Sequence, residues 1–568
     1  MKSSRQSLLF IGILLLSVFL GDRFMFEREN EAGEQKPRTA IFLEKFGNTG
    51  QSISATKSVL GSISNIRVNA LDGASEPSVA INPANPKNIV VVTNDFRMTG
   101  NYARSFSSVD GGNTFSGVQV PLSGLAGFSE ATDPSIAFGA DGSVYYAIVH
   151  YQSVGNGDGI FLNRSLDGGA TWMAKATEVK KNNDATAFED RPVVTVDATS
   201  SAYANTVYVV WTSIAGSSNI VLLSKSLDKG ITFSTPVALA SGSVGQPDVK
   251  VGKNGVVYIA YLSNNNTISV TRSFDGGSTF TSAVTATQFT HSGDKVGNEY
   301  LLKTSVTGSG VRVKSYPALA VDVQTGAAYI CYSAKNGSDL SDIYLSVSTD
   351  GSSWTPSVRV NNDNTVSDQF NPAITAIGSK VYATWQDSRD DQNNRTVATY
   401  MAVSNDGMNF VNSKLSTSSF DPSTILLNSY MGDYNGIAVS NESIFAVWTD
   451  GRNNLVDVYG GIVPLALTGV KDVNISSKDF TVAQNFPNPF NPSTMITYSL
   501  PGEGAVTVAL FDMTGKQLAT LFRGSQSVGS HTLEFNPAKF GLNLASGNYV
   551  YRVTFGSRTI SNKLTLLK

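Results

Sequence analysis

Hydrophobic and polar positions alternate along most of this chain in short runs bounded by Gly, Asn and Ser, and the runs recur. Seven leading segments share one pattern, a polar or aromatic residue (most often before Pro) followed by alternating apolar positions: EPSVAI from Glu76, DPSIAF from Asp133, RPVVTV from Arg191, QPDVKV from Gln246, YPALAV from Tyr316, NPAITA from Asn371 and YNGIAV from Tyr434. About ten residues after each comes a nearly continuous β-branched and aromatic run: NIVVVTND, SVYYAIVH, NTVYVVWT, GVVYIAYL, GAAYICYS, SKVYATWQ and SIFAVWTD. Period-two alternation predicts a half-buried strand, and the continuous run predicts a strand covered on both faces. A unit of four short strands repeating every roughly 55–70 residues is the pattern of a propeller blade.

A second motif recurs between those segments. SVDGGNTF (108–115), SLDGGATW (165–172), SLDKGITF (226–233) and SFDGGSTF (273–280) follow S-x-D-x-G-x-T-aromatic, and STDGSSW (348–354) and SNDGMNF (404–410) are one residue shorter. An aspartate followed by Gly and Thr suits a hairpin turn, because the carboxylate accepts backbone N–H groups and Gly takes a positive φ. Asp110, Asp167, Asp228, Asp275, Asp350 and Asp406 are therefore expected to be turn staples. The motif resembles the Asp box of sialidases and related propellers. That resemblance implies that the boxes lie on the face away from the active site.

Seven leading segments against six boxes leave the last unit, from Tyr434, one strand short. SNIRVNALDGASEPSVAI before the first unit matches PSVRVNNDNTVSDQFNPAI before the sixth. Ile66–Asn69 is therefore predicted to be the missing outer strand, closing the ring and removing two open sheet edges. The expected fold is an all-β, seven-bladed propeller over 63–464, with six blades, the sialidase number, as the alternative.

The ends of the chain read differently. Lys2 and Arg5 precede a thirteen-residue apolar run, Leu8–Leu20, which is the length of a signal-peptide core and short of a membrane span. Residues 1–21 are expected to be a signal peptide, and 22–62 and 465–483 linkers. QNFPNPFNPSTMITYSLP (484–501), LFDMTGK and ASGNYVYRV before the terminal KLTLLK resemble the C-terminal sorting domain of type IX secretion substrates. Alternation alone makes 484–568 a small β-sandwich. The resemblance implies Sec export, passage through the type IX outer-membrane translocon, a secreted or cell-surface protein, and a source in or near the Bacteroidota.

Composition narrows the chemistry. A net charge of −3 leaves no basic footprint for nucleic acid. Three histidines and one cysteine make a His/Cys metal site or a disulfide framework unlooked-for, and no metal or cofactor is expected. The acid-rich loops NNDNTVSD and DSRDDQNN lack the spacing of an EF-hand.

Chemistry is expected at the mouth opposite the boxes. Aligned second strands place Asp95, Asp387 and Asp450 at one register and Arg97, Arg389 and Arg452 two residues on, in the neighbouring first, sixth and seventh units. Converging arginines would form a forked-donor site for a carboxylate. If instead each pairs with its own aspartate, they only stitch strand ends. Sialidases use an arginine triad and a tyrosine nucleophile activated by a glutamate, so the resemblance points to Tyr434 and Asp433 of GDYNG, with Tyr316 behind them. Glu189, Asp190, Glu76 and Asp133 are the acids at matching loop positions. The long loops 281–315, carrying His291 and Glu299, and 411–433 open on the same face. The chain also departs from sialidases: no R-I-P motif precedes the first box, and the first leading segment opens with Glu76. The expected function is a monomeric protein that binds or hydrolyses an acidic glycan or glycoprotein. The alternative is a non-catalytic surface propeller that binds polysaccharide or protein.

Overall fold

The computed structural model describes residues 63–69, 73–95, 104–121, 128, 130–151, 157–182, 187–216, 218–264, 266–297, 299–302, 310–336, 340–425, 430–465, 480–482, 484–485, 488–526 and 529–568. The signal-peptide and first linker expectations, Arg97, and most of the second linker lie outside these residues. Contacts divide the chain into two compact units, Met1–Thr468 and Gly469–Lys568. Among the described residues the structure is strand and turn, with only short 3-10 turns.

The first unit is a β-propeller. Its described residues form seven four-stranded antiparallel sheets, led by Ala74–Ile81, Glu130–Phe138, Phe188–Val196, Val244–Val251, Ala318–Val321, Gln369–Ile377 and Gly436–Val439. Leading strands of successive sheets touch, and that of the first sheet touches that of the seventh. The seventh sheet takes its outer strand from the other end of the chain: Asn65–Arg67 pairs antiparallel with Asp457–Pro464, with Ile66 opposite Gly460. Beside that pairing, buried Asp457 accepts from Arg67 at 2.8 Å and from Asn69 at 3.1 Å. The second strands are buried along almost their whole length, as in Ile89–Asp95 and Val207–Ala215, because each sheet is covered by a neighbour on both faces. Trp211, Trp385 and Trp448 are 0–1% exposed and fill the space between sheets.

The Asp boxes form the turns their sequence predicts. In the first, Asp110 Oδ1 accepts the N–H of Asn113 at 2.9 Å and of Thr114 at 3.0 Å, and Oδ2 accepts the Thr114 hydroxyl at 2.6 Å. Those Thr114 bonds, with the Ser108 hydroxyl, hold the carboxyl down to about 2. The shorter boxes work alike, with Asp350 accepting from Ser352 and Ser353 and Asp406 from Met408 and Asn409. Where the box points was less visible in the sequence. Its aromatic and second glycine pack on the preceding sheet: Trp172 Nε1 donates to Ser105 Oγ at 2.7 Å, and Phe115 lies 5.5 Å from Phe445 of the seventh sheet. The boxes are therefore fasteners between sheets as well as turns within them.

The loop expected over 281–315 holds a small three-stranded sheet, Asp294–Val296, Glu299–Leu302 and Val311–Arg312. The second unit has a three-stranded and a four-stranded antiparallel sheet around a shared core that includes Phe490, Ile496, Phe535, Tyr551 and Leu564.

Gly111 and Gly112 both sit at positive φ, +78° and +89°, but a Cβ on Gly111 meets nothing within 4 Å while one on Gly112 would stand 2.6 Å from Phe445. Gly111→Ala should therefore cost only the left-handed backbone penalty, about 1 kcal/mol, and Gly112→Ala about 3 kcal/mol once the clash across the closure is added. Equilibrium urea unfolding of the two variants checks the difference.

Candidate functional site

Register fixes which end of each sheet is which. Ala74 pairs with Asp95 and Ile81 with Ile89, and Ile89 pairs with Ser108 at the start of the box. The box therefore lies at the far end of the sheet from Glu76 and its counterparts.

At the mouth end, five leading strands share one irregularity. Glu76, Asp133, Arg191, Gln246 and Asn371 adopt φ between 50° and 56°, each directly before a proline, and the ladder slips by a residue there in all five sheets. A left-handed conformation is unfavourable for these residues and worse before proline. A bulge of this kind re-aims a side chain, and repeated strain at one level of a structure marks positions where side-chain placement matters. Tyr316 and Tyr434 occupy the same position in the fifth and seventh sheets.

These residues meet in a half-buried cluster. Glu76, 2% exposed, accepts the Tyr430 hydroxyl at 2.7 Å and the Asp433 N–H at 3.0 Å on one oxygen, and Asn94 Nδ2 on the other. Arg312, delivered by the small inserted sheet, forks onto Asp433 at 3.0 and 2.6 Å and reaches the Tyr430 hydroxyl at 3.3 Å. Its guanidinium also lies 4.8 Å from the Tyr430 ring centre. Arg191 crosses the mouth to stand 4.6 Å from the Tyr316 ring and 5.2 Å from the Tyr434 ring. Gly432, at φ +82°, lets the 430–434 loop rest on Glu76, since a Cβ there would stand 2.5 Å from Glu76 Cγ. The leading strands enclose a cavity of ≈420 Å³, lined at this level by Arg191, Lys314, Tyr316, Asn371, Asp433 and Tyr434.

Burial sorts the titratable groups. It lifts Asp133 well above the usual carboxylate range, helped by the charges of Glu76, Asp190 and Asp433 and opposed by Arg191. Burial and the charge of Asp433 also raise Glu76. Burial keeps Tyr316, Tyr430 and Tyr434 neutral far above the ordinary phenol value, with Asp433 adding to the effect at Tyr316 and Glu76 at the other two. Burial opposes the charge on Arg312, but Asp433 carries it well above its ordinary value. The mouth thus combines two buried carboxyl groups of raised basicity, Asp133 the more strongly shifted, with two cations. Among the described residues no group of three His, Cys, Asp or Glu side chains is placed to hold a metal ion.

The structure brings together Tyr316, Asp433 and Tyr434, and adds Tyr430 and Arg312, which the sequence reading did not single out. Both lie in insertions with no counterpart in the other units, so the repeat assigns them no register. It places Glu189 elsewhere. That carboxylate is 1% exposed and is occupied by Trp211 Nε1 at 2.5 Å, Asn182 Nδ2 at 2.8 Å and Ser213 Oγ at 3.2 Å. Asp190, one residue on, is the acid that bonds the mouth residue Gln246, at 3.2 Å.

The D-x-R pairs are folded onto their own sheets. Arg389 binds Asp387 at 2.8 and 2.7 Å and lies 4.3 Å from the Tyr400 ring. Arg452 binds Asp450 at 2.9 and 2.7 Å, reaches Asn65 on the outer strand and lies 4.0 Å from the Tyr459 ring. Trp385 and Trp448 hold the same aspartates from inside, at 2.6 and 2.9 Å. In the first sheet Asp95 pairs with Arg104 at 2.9 Å. Arg389 and Arg452 share no partner, so the expected forked site does not assemble from them. The backbone N–H of each arginine donates to the aspartate two residues earlier, which turns the side chain back along its own sheet.

No protein-family model matches the chain, and no curated protein does. Among solved structures it is similar to a protein of unknown function from Dyadobacter fermentans, at 16% identity and TM-score 0.38 over 62% of this chain and 96% of that one. It is similar as well to a Penicillium chrysogenum α-L-arabinanase complexed with arabinobiose, at 14% identity and TM-score 0.38 over 59% and 94%. An ulvan lyase of polysaccharide lyase family PL25 is similar at 11% identity and TM-score 0.43 over 71% and 99%.

The upward shift of Asp133 has two expected consequences. Its carboxylic-acid carbonyl band should persist in the infrared spectrum at neutral pH and vanish in Asp133→Asn. The unfolded chain ionises this group at its ordinary value, so its contribution to stability is complete below that value and is lost as pH rises through the raised folded one. Denaturant midpoints should therefore fall less between mildly acid and neutral pH in Asp133→Asn than in the natural chain.

Proposed function

We propose that the protein is an exported glycan-acting propeller of sialidase type, with seven blades, whose site is the acid, tyrosine and arginine cluster at the mouth opposite the Asp boxes. The observation that carries this reading is the Tyr430 hydroxyl 2.7 Å from Glu76, beside Arg312 and Asp433. A phenol is a weak nucleophile until a base takes its proton, and a neighbouring buried carboxylate is such a base. In this reading Tyr430 attacks the anomeric carbon while Glu76 takes the phenolic proton, and Asp133 gives its proton to the departing oxygen. Water then reverses the sequence and releases the sugar. Arg191, held between two tyrosine rings, is the cation for an acidic group on the substrate. Tyr434, the tyrosine singled out from the sequence, flanks Arg191 here, and Asp433 orients Arg312.

Seven four-stranded sheets and the contact between first and seventh leading strands support the blade number. For export, support comes from the signal-peptide pattern and from the second unit. There the first and last of the segments that resemble a type IX sorting domain are neighbours: Phe490 N donates to Thr565 O at 2.9 Å and Leu567 N to Phe490 O at 3.0 Å. We read 484–568 as a β-sandwich sorting domain and the protein as secreted or held at the outer-membrane surface.

The test is turnover of fluorogenic acidic glycosides, an α-sialoside first. The natural chain should hydrolyse one of them. Tyr430→Phe should lower kcat/KM by about a thousandfold while costing only about 1–3 kcal/mol of stability for the lost hydroxyl bonds, and Tyr434→Phe should lower kcat/KM by much less. Binding of the same sugars without turnover would leave a non-catalytic carbohydrate-binding propeller.

A further inference from the structure

Two residues that line the cavity carry a buried polar atom with no hydrogen-bond partner among the described residues, Arg191 Nη1 and Asn371 Oδ1. One is a cationic donor and the other a neutral acceptor. Asn371 is 3% exposed and stands at φ 51° before Pro372, on the leading strand of the sixth sheet. Its amide orientation is set by its neighbour: Nδ2 donates at 3.1 Å to the carbonyl of Gly432, a group that can only accept. The amide oxygen is therefore the end left over, and among the described residues it meets no donor. A buried acceptor without a donor is unfavourable, and the fold gains nothing from it, because the bond to Gly432 uses only the nitrogen. Arg191 spans from the third sheet to rings of the fifth and seventh, and it lines the same cavity as Asn371.

We propose that Asn371 is a specificity-determining residue that accepts a hydroxyl hydrogen from a sugar acid whose carboxylate lies on Arg191. This inference rests on the glycan reading of the mouth and adds a selection rule to it. The ligand class is a ring carboxylate with free hydroxyls. An acceptor with no donor left to offer favours a hydroxyl at that point over an ether, a carbonyl or bare carbon. Asn371 also ties down the loop that carries Tyr430 and Asp433, through Gly432 and through the Asn435 Nδ2 bond to its own carbonyl at 3.1 Å. Discrimination between substrates and placement of that loop thus meet in one side chain.

The test is a ratio of affinities by calorimetry on the full chain. The probes are N-acetylneuraminate and D-glucuronate, set against tetrahydropyran-2-carboxylate, which has the same ring acid without hydroxyls. The natural chain should prefer at least one hydroxylated acid by about tenfold. Asn371→Ala should bring that preference close to one. Asn371→Asp keeps an acceptor and tolerates the left-handed backbone, so it should retain the preference even if its charge weakens both acids. Loss of the preference in both variants would assign Asn371 to loop placement alone and overturn the proposal, as would an unchanged preference in Asn371→Ala. If none of the three acids binds the natural chain, the glycan reading and this inference fall together. If they bind with an unaltered ratio, only the inference falls.

Discussion

The ring must close, and every other feature of the propeller follows from how it does so. A row of sheets packed face against face leaves an uncovered sheet at either end, with apolar faces and unpaired edges exposed. Here the closure joins Asn65–Arg67 to Asp457–Pro464, residues nearly four hundred positions apart. It is strengthened by buried Asp457, which gathers Arg67 and Asn69, and by the packing of Phe115 and Gly112 on Phe445. Once the first and seventh sheets touch, all leading strands point their starting residues at one mouth. The cluster that unites Glu76 of the first sheet with Tyr430, Asp433 and Tyr434 before the seventh exists only across that closure. Fold and site therefore depend on the same contact.

The closed ring concentrates its backbone strain at the mouth. Five sheets hold their mouth residue in a left-handed conformation before proline, at a cost of order 1–3 kcal/mol each. Packing does not explain that choice, since the strands continue normally on either side. The side chains aimed inward by it are two acids, an arginine and two amides, and the fifth and seventh sheets add tyrosines. Taking charge out of water is tolerable only if it is paired or neutralised. The cluster tends both ways: Arg312 is paired with Asp433, and burial shifts Asp133 toward its neutral acid form.

Much of this was legible in the sequence because the repeat prints it several times. The X-Pro start of the leading strands, the apolar second strands and the Asp boxes gave the sheets, their order and the two faces, and the mismatch between seven and six exposed the borrowed strand. The losses occurred where the repeat is silent or where one residue of register decides the outcome. Arg312 and Tyr430 lie in insertions without counterparts. Glu189 and Asp190 are adjacent, and strand alternation sends them to opposite sides, so of these two expected acids Asp190 is the one that bonds a mouth residue. Arg389 and Arg452 do share a register, but the turn made by their own aspartates, held from below by tryptophan, takes each arginine out of circulation. A D-x-R at a strand end with Trp two positions before the Asp is a signal for that pairing, and Trp385 and Trp448 stood in the sequence to give it.

Whether Tyr430 is the nucleophile is the point on which the functional account turns, and a covalent trap addresses it directly. A fluorinated sialyl fluoride slows release of the sugar more than its attachment, so a glycosyl-protein accumulates and can be digested and mapped by mass spectrometry. The account predicts one adduct per chain, on the peptide that contains Tyr430, absent from Tyr430→Phe. An adduct on any other side chain, or a chain that turns over acidic glycosides without forming one, would contradict it.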